Sequence, residues 1–278
     1  MAGETAEQLT PLPDLSGFYK LPEESIESFR RDGHVLLRGV ATSEEVAAYR
    51  PQIADAVRRL NRQTKPLEVR DTYGKAFIQV GNLWVHDEGV RRFTLAKRFA
   101  RIAAELLGVP AVRLYHDQAL FKEPGGGLTP WHQDQVYWPL DTDNTITMWM
   151  PLVPVGEEAG TLQFASGTHR SGYLSREVIS EQSHRTLGQY IEGNGIPVVN
   201  HGAMAAGDAT FHYGWTVHAA PGNATGEMRE VMTIIYFADG ARLVEPETAA
   251  RRNDKEALMP DLQPGDLAVG PLLPLVYP

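Results

Sequence analysis

Val112-Arg113-Leu114-Tyr115-His116-Asp117-Gln118-Ala119-Leu120-Phe121-Lys122, broken at once by Glu123-Pro124-Gly125-Gly126-Gly127, is the stretch that decides the fold. Apolar and aromatic residues dominate the run, and the proline with its three glycines ends it as a turn ends a strand. The same texture continues downstream, with short segments rich in Val, Ile, Thr and aromatics separated by Gly156-Glu157-Glu158, Ser166-Gly167 and Pro221-Gly222-Asn223. Strands are expected over residues 112–122, 130–134, 146–153, 161–164, 198–200, 209–212, 217–219 and 231–238, with a helical insertion around 175–181. Strands this short, joined by tight turns, predict a sandwich or jelly roll.

Upstream the period changes to that of a helix. One helix is expected from near Pro22 through Ile26 and Phe29 to Gly33, followed by a buried strand His34-Val35-Leu36-Leu37. Thr42 and Glu45 form a capping-box pattern for a second helix through Val46, Tyr49, Ile53, Ala56, Val57 and Leu60, which Pro51 is expected to shift or kink. The strongest amphipathic pattern spans 89–107 and ends at Gly108-Val109-Pro110. Helices first and strands later, without βαβ alternation, predict an α+β domain with the N-terminal helices packed outside the β-sandwich. The chain is read as one domain, 1–278: an arm at 1–20, mainly helical support at 21–110, a jelly-roll core at 111–240 and a tail at 241–278. The apolar end of that tail, Leu272 to Tyr277, either docks back or meets a partner subunit, and both a monomer and a homodimer are compatible with it.

Of the 278 residues 42% are hydrophobic and 22% charged, values that exclude disordered, collagen-like and coiled-coil chains. No apolar run approaches the roughly 18 residues of a membrane span, and MAGETAEQLT is no signal peptide, so a soluble cytoplasmic protein is expected. With no cysteine, any metal must be held by His, Asp or Glu. A net charge of −9 gives no general attraction to nucleic acid, and the clusters around Arg58 and Arg98 read as solvated helix faces.

His132-Gln133-Asp134 places an imidazole and a carboxylate two residues apart, hence on one face of a strand. In a chain with nine histidines that pair alone is weak, and its surroundings strengthen it: a glycine-rich turn leads in, and Trp131, Tyr137 and Trp138 supply apolar walls. A distant His218 would complete a set of two imidazoles and one carboxylate, which leaves three adjacent metal positions open. Arg229, if buried, could fork onto a dicarboxylate bound to that metal, and if exposed would pair with Glu227 or Glu230.

These residues resemble the phytanoyl-CoA dioxygenase family of iron(II)- and 2-oxoglutarate-dependent oxygenases. The likeness runs from Phe29-Arg30-Arg31-Asp32-Gly33-His34-Val35-Leu36-Leu37-Arg38-Gly39-Val40 through Trp131-His132-Gln133-Asp134-Gln135 and Gly160-Thr161-Leu162-Gln163-Phe164-Ala165-Ser166-Gly167-Thr168-His169-Arg170 to His218 and Arg229. It implies a double-stranded β-helix with Fe(II) at its open end on His132, Asp134 and His218. It also implies 2-oxoglutarate on Arg229, with Gln118, Trp149 and Thr161 as further co-substrate contacts, and O2 as the oxidant. Ala220 departs from relatives that carry a hydroxyl there, so another donor must complete the carboxylate site. Asp134 separates the chain from related halogenases, which keep a small residue at that position.

The expected reaction is hydroxylation of a small molecule's C–H bond with decarboxylation of 2-oxoglutarate to succinate. The alternatives are desaturation, cyclisation or epimerisation of a natural-product intermediate with the same cofactors, or a jelly-roll binding protein without turnover. Gln79, Asn82 and Trp84, between the helices, and Trp215 are the candidate substrate contacts, with packing an equal reading for the two tryptophans. His169 is expected in a turn, and His116, His201 and His212 as structural residues, with substrate contact the alternative.

Overall fold

The computed structural model describes residues 11–278, so the first half of the expected arm lies outside the described residues. Its second half is docked: Leu15 is buried, the Tyr49 hydroxyl donates to the Pro13 carbonyl at 2.6 Å, and Arg92 and Arg98 donate to the carbonyls of Leu12 and Gly17. Helix α1 (Glu23–Asp32) stops at Gly33, whose φ of +86° only glycine adopts freely, and β1 (His34–Leu37) follows. Helix α2 (Ser43–Leu60) opens on the Thr42–Glu45 capping box and runs unbroken through Pro51, against the expected kink. Pro51 and Ala47, whose carbonyl loses its partner, both lie on the exposed face, where water replaces the missing bond.

After α3 (Thr72–Ala76) and β2 (Ile78–Gly81), the single helix expected over 89–107 is two: α4 (Glu88–Thr94) and α5 (Lys97–Leu107), separated by an extended Ala96. Long-range partners cut it. The Thr94 hydroxyl donates to Asp117 at 2.7 Å, and the Arg98 amide donates to the Leu15 carbonyl at 3.2 Å. Periodicity within the segment carries no trace of either.

The remaining strands are β3 (Val112–Phe121), β4 (Thr129–His132), β5 (Thr145–Pro151), β6 (Gln163–Ala165), β7 (Val198–Asn200), β8 (Ala209–Tyr213), β9 (His218–Ala220), β10 (Val231–Ala238) and β11 (Leu275–Tyr277). Two antiparallel sheets form, a larger one ordered β1-β8-β5-β10-β3-β11 with β2 also on β3, and a smaller one ordered β4-β9-β6-β7. This is the expected jelly roll in an α+β setting. The insertion expected at 175–181 is helical only from Glu181, as α6 (Glu181–Gly193), because Ser180 and Ser183 cap one another and start the helix there. Three pieces had no signal of their own: α3, β2, and helix α7 (Ala249–Leu258) in the tail. The tail docks back, since β11 pairs with β3 at Leu275 and Arg113. No helix among the described residues is long and apolar enough to cross a membrane.

Side-chain alternation sorts the larger sheet into two faces. Met232, Ile234 and Tyr236 of β10 pack with Ile146, Met148 and Phe211 against Phe29, Ile53, Phe93 and Phe99 of the helices. Thr233, Thr147 and Trp149 look the other way, into a cavity between the sheets. On β3 the alternation changes phase at a bulge: His116 faces Ile235 and Leu114 faces Tyr236, leaving Tyr115 as the extra residue. Beyond it Ala119 and Phe121 pack in the helix-side core, whereas His116, Gln118 and Leu120 line the cavity.

Asp117 also lies deep in the protein, where it accepts from the Thr94 hydroxyl and from the Trp84 amide at 3.1 Å, and so ties the helical layer to β3. Burial pushes its carboxyl up from 3.8 to about 7. Because the folded-state value lies above the unfolded one, its contribution to stability is whole below about pH 4 and is lost as pH rises through about 7. Asp117→Asn, which keeps one acceptor oxygen and carries no charge, is therefore expected to gain stability relative to the native chain between pH 4 and pH 8, by about 1 kcal/mol or more. Denaturant melts across that range check it, and a difference that stays constant with pH contradicts it.

Candidate metal centre and co-substrate pocket

Strands β4 and β9 pair so that His132 stands directly across from His218. Each imidazole Nδ1 faces a backbone carbonyl, Pro130 at 2.8 Å and Thr216 at 3.0 Å, which places the ring proton there and leaves each Nε2 as a lone pair. Those Nε2 atoms lie 3.4 and 3.6 Å from Asp134 Oδ1, and all three ligand atoms fall within 4.8 Å of one another. Two ligands at about 2.1 Å and at right angles on one ion would stand about 3 Å apart, so the spacing suits a single metal.

Asp134 itself lies just past the strand end, where it opens a 3-10 turn (Asp134–Val136). Gln133 is still extended, which keeps the expected same-face relation between His132 and Asp134. The second carboxylate oxygen is held from the opposite sheet: Thr147 Oγ1 donates to Oδ2 at 2.8 Å, and His212 Nε2 lies 3.3 Å from it. Burial opposes the charge on Asp134, but the surrounding imidazoles outweigh it and hold the carboxyl well below its usual range. Burial and its imidazole neighbours push His218 well below its usual value, so it is neutral at physiological pH. An ionised carboxylate beside neutral imidazole is the state that binds a metal.

Arg229 lies in the stretch that leads into β10 and is almost fully buried. Its Nη1 donates to the Gly160 carbonyl at 2.6 Å, its guanidinium carbon lies 5.4 Å from the centre of the Trp149 ring, and Nε has no partner among the described residues. The surface salt bridge does not form: Glu230 pairs with Arg50 instead. Burial alone lowers the Arg229 pKa to about 9. Lys122, bridged to Arg229 through the backbone, is a second buried basic side chain that the sequence did not single out. Its ammonium donates to the carbonyls of Gly127 at 2.5 Å and Pro221 at 3.0 Å, and desolvation together with Arg229 pushes its pKa down to about 6. Lys122 is therefore mostly neutral at physiological pH, whereas Arg229 stays charged without a carboxylate partner among the described residues, a costly arrangement unless an anion enters.

The cavity between the sheets measures about 240 Å3 and is lined by the three candidate ligands together with Gln118, Trp149 and Arg229. Gln79 and Asn82 also line it, and Gln79 is hydrogen-bonded to Gln118 and to the Tyr73 hydroxyl. Thr161, Trp84 and Trp215 do not line it. Thr161 shares a hydrogen bond with Asn200, Trp84 is packed in the helix-side core, and Trp215 donates to Asp143 at 2.6 Å. Trp131, expected as a wall, packs beside α6 instead, while Tyr137 and Trp138 do form walls. His201 bonds His34 and His169 stacks on Tyr213, both structural, whereas His116 and His212 line the cavity. Opposite Ala220 in the register stands Thr129, which brings into the lining the hydroxyl that Ala220 lacks. Thr129, Thr147, Tyr73 and Asp254 escaped the sequence reading because each reaches the cavity through a pairing or packing partner far away in the chain.

Comparison with known proteins agrees with this geometry. The carbocyclase SnoK from nogalamycin biosynthesis superposes with a TM-score of 0.77 at 25% identity, over 92% of this chain and 97% of its own. The epimerase SnoN of the same biosynthesis gives 0.74 at 26% identity, over 92% and 98%. The methylphosphonate hydroxylase of Gimesia maris is 27% identical over 150 residues, 54% of each chain, so the match spans about half the length of that relative. The family model described as Phytanoyl-CoA dioxygenase (PhyH) matches residues 29–231, a stretch that holds the whole His132, Asp134 and His218 triad and Arg229. The chain belongs to the phytanoyl-CoA dioxygenase family, and it carries the two-histidine, one-carboxylate triad suited to iron(II) and 2-oxoglutarate.

Proposed function

We propose that the protein is an iron(II)- and 2-oxoglutarate-dependent enzyme acting on a free small molecule of the natural-product kind, with residues 1–278 working as one oxygenase domain. The observation that carries this reading is the buried guanidinium of Arg229, without an acid partner among the described residues, in the cavity that also holds the triad. His132, Asp134 and His218 would hold the metal. Arg229 would take the distal carboxylate of 2-oxoglutarate, with Thr129 as the hydroxyl donor beside it and Gln118 and Trp149 as further contacts. With dioxygen, the bound cofactors supply the oxidising power to break an unactivated C–H bond, releasing succinate and CO2.

The protein's own part is positional. The Pro130 and Thr216 carbonyls fix the imidazole tautomers, and Thr147 and His212 aim the carboxylate. Lys122 draws the carbonyls of Gly127 and Pro221 together behind Arg229 and so shapes the anion seat. Tyr137, Trp138 and Leu120 in the cavity lining would supply apolar surface around the substrate. Likeness to a carbocyclase and an epimerase over nearly the whole chain favours ring closure or epimerisation over hydroxylation as the outcome, and the hydroxylase match covers only half of each chain.

The test is an anaerobic titration of apoprotein with Fe(II) and 2-oxoglutarate, read by the weak visible charge-transfer band of the chelate. His132→Ala and Asp134→Ala are expected to lose both the band and succinate formation, and normal turnover by either at equal iron loading sinks the proposal. Arg229→Gln is expected to keep iron binding but to need about 30-fold more 2-oxoglutarate for half-saturation, the loss of roughly one charge-assisted hydrogen bond. Gly160→Ala is expected to weaken the co-substrate in the same direction. The glycine has a φ of +85°, and an added Cβ would stand 2.5 Å from the Pro221 carbonyl, which displaces the oxygen that Arg229 donates to.

A further inference from the structure

Helix α7, which has no part in the metal or co-substrate sites, closes the cavity with Asp254, Ala257 and Leu258. It is held firmly. Arg251 reaches the carbonyls of Val136 and Gln135 at 3.3 and 3.4 Å, directly after the ligand Asp134, and Leu258 and Met259 pack with Tyr115, Trp138 and Phe237. The β3 bulge at Tyr115 sets its ring against Trp138 and lets its hydroxyl donate to Asp254 Oδ2 at 2.9 Å. That is the one hydrogen bond to this carboxylate among the described residues, and Asp254 has no ion pair there. Arg251, the cation one turn away, is turned toward the carbonyls it binds and toward the Tyr173 ring.

We infer that Asp254 is a substrate-recognition residue, whose free oxygen takes a protonated amine of the substrate. This deepens the proposed function and rests on it. Among the described residues Arg229 is the sole lysine or arginine lining the cavity, and there it serves the co-substrate, so none of them neutralises Asp254. Burial pushes its carboxyl up to about 6, the mark of a charge lacking a counter-ion. An ammonium group would supply that counter-ion, and the aromatic residues Tyr73, Phe77, Tyr137 and Trp138 in the same lining suit a cation as well as the apolar body that carries it. An anionic substrate such as a phosphonate would find no second cation and would be repelled by Asp254.

The test uses benzylamine and benzyl alcohol as matched probes, titrated anaerobically into the protein loaded with Fe(II) and 2-oxoglutarate and followed by ligand-observed NMR. Benzylamine is expected to bind about tenfold tighter than the alcohol, and Asp254→Asn to abolish that preference while leaving the charge-transfer band intact. Tyr115→Phe, which frees the carboxylate from its internal donor, is expected to keep or strengthen the preference for the amine. Absence of that preference in the native protein, including failure of benzylamine to bind, overturns the assignment, as does its persistence in Asp254→Asn. Failure of the band to form in the native protein overturns the metal-site reading instead, so the two failures are told apart.

Discussion

Everything at the centre depends on one register: His132 of β4 lies across from His218 of β9. A slip by one residue would turn one imidazole to the opposite face and leave the metal a single histidine. The smaller sheet thus supplies both nitrogen ligands, and the larger sheet supplies the buttress, because Thr147 and His212 face each other across β5 and β8 and together hold the far oxygen of Asp134. The metal site spans the two sheets, so the geometry of the triad and the packing of the sandwich support each other.

The bulge at Tyr115 has comparable reach. By changing the phase of β3 it sends Asp117 toward the helices and Gln118 toward the cavity, and it lets the tyrosine hydroxyl meet Asp254 on α7. One extra residue therefore joins the helical layer, the cavity wall and the C-terminal helix to a single strand. Polar groups left short of partners mark where ligands belong. Among the described residues Arg229 Nε lacks an acceptor on one side of the cavity and the Asp254 carboxylate lacks a cation elsewhere in it.

Much of this was legible beforehand where local rules act. The strands at 198–200 and 231–238 stand where alternation and turn residues put them, and Thr42 with Glu45 caps α2 as its spacing demands. Local rules failed where a distant partner decided the outcome. The helix over 89–107 broke because Asp117 and Leu15 hold its middle, and Pro51 bent nothing visible because it faces water. Gln79 and Asn82 reached the cavity but Trp84, two residues on, did not, since β2 ends at Gly81 and the chain then turns into the helix-side core.

By itself the sequence showed the class of fold and the side-chain types available to a metal and a carboxylate, because turn glycines, strand alternation and side-chain donor sets are local properties; the grouping of His132, Asp134 and His218 with Arg229 came from the resemblance to the family. Only the tertiary structure decided that Arg229 is buried without an acid, that Thr147 and His212 aim Asp134, that Thr129 stands where Ala220 lacks a hydroxyl, and that a helix from the tail brings Asp254 to the cavity. Each of these rests on strand register or on packing between segments far apart in the chain, and burial and pairing are properties of the assembled fold.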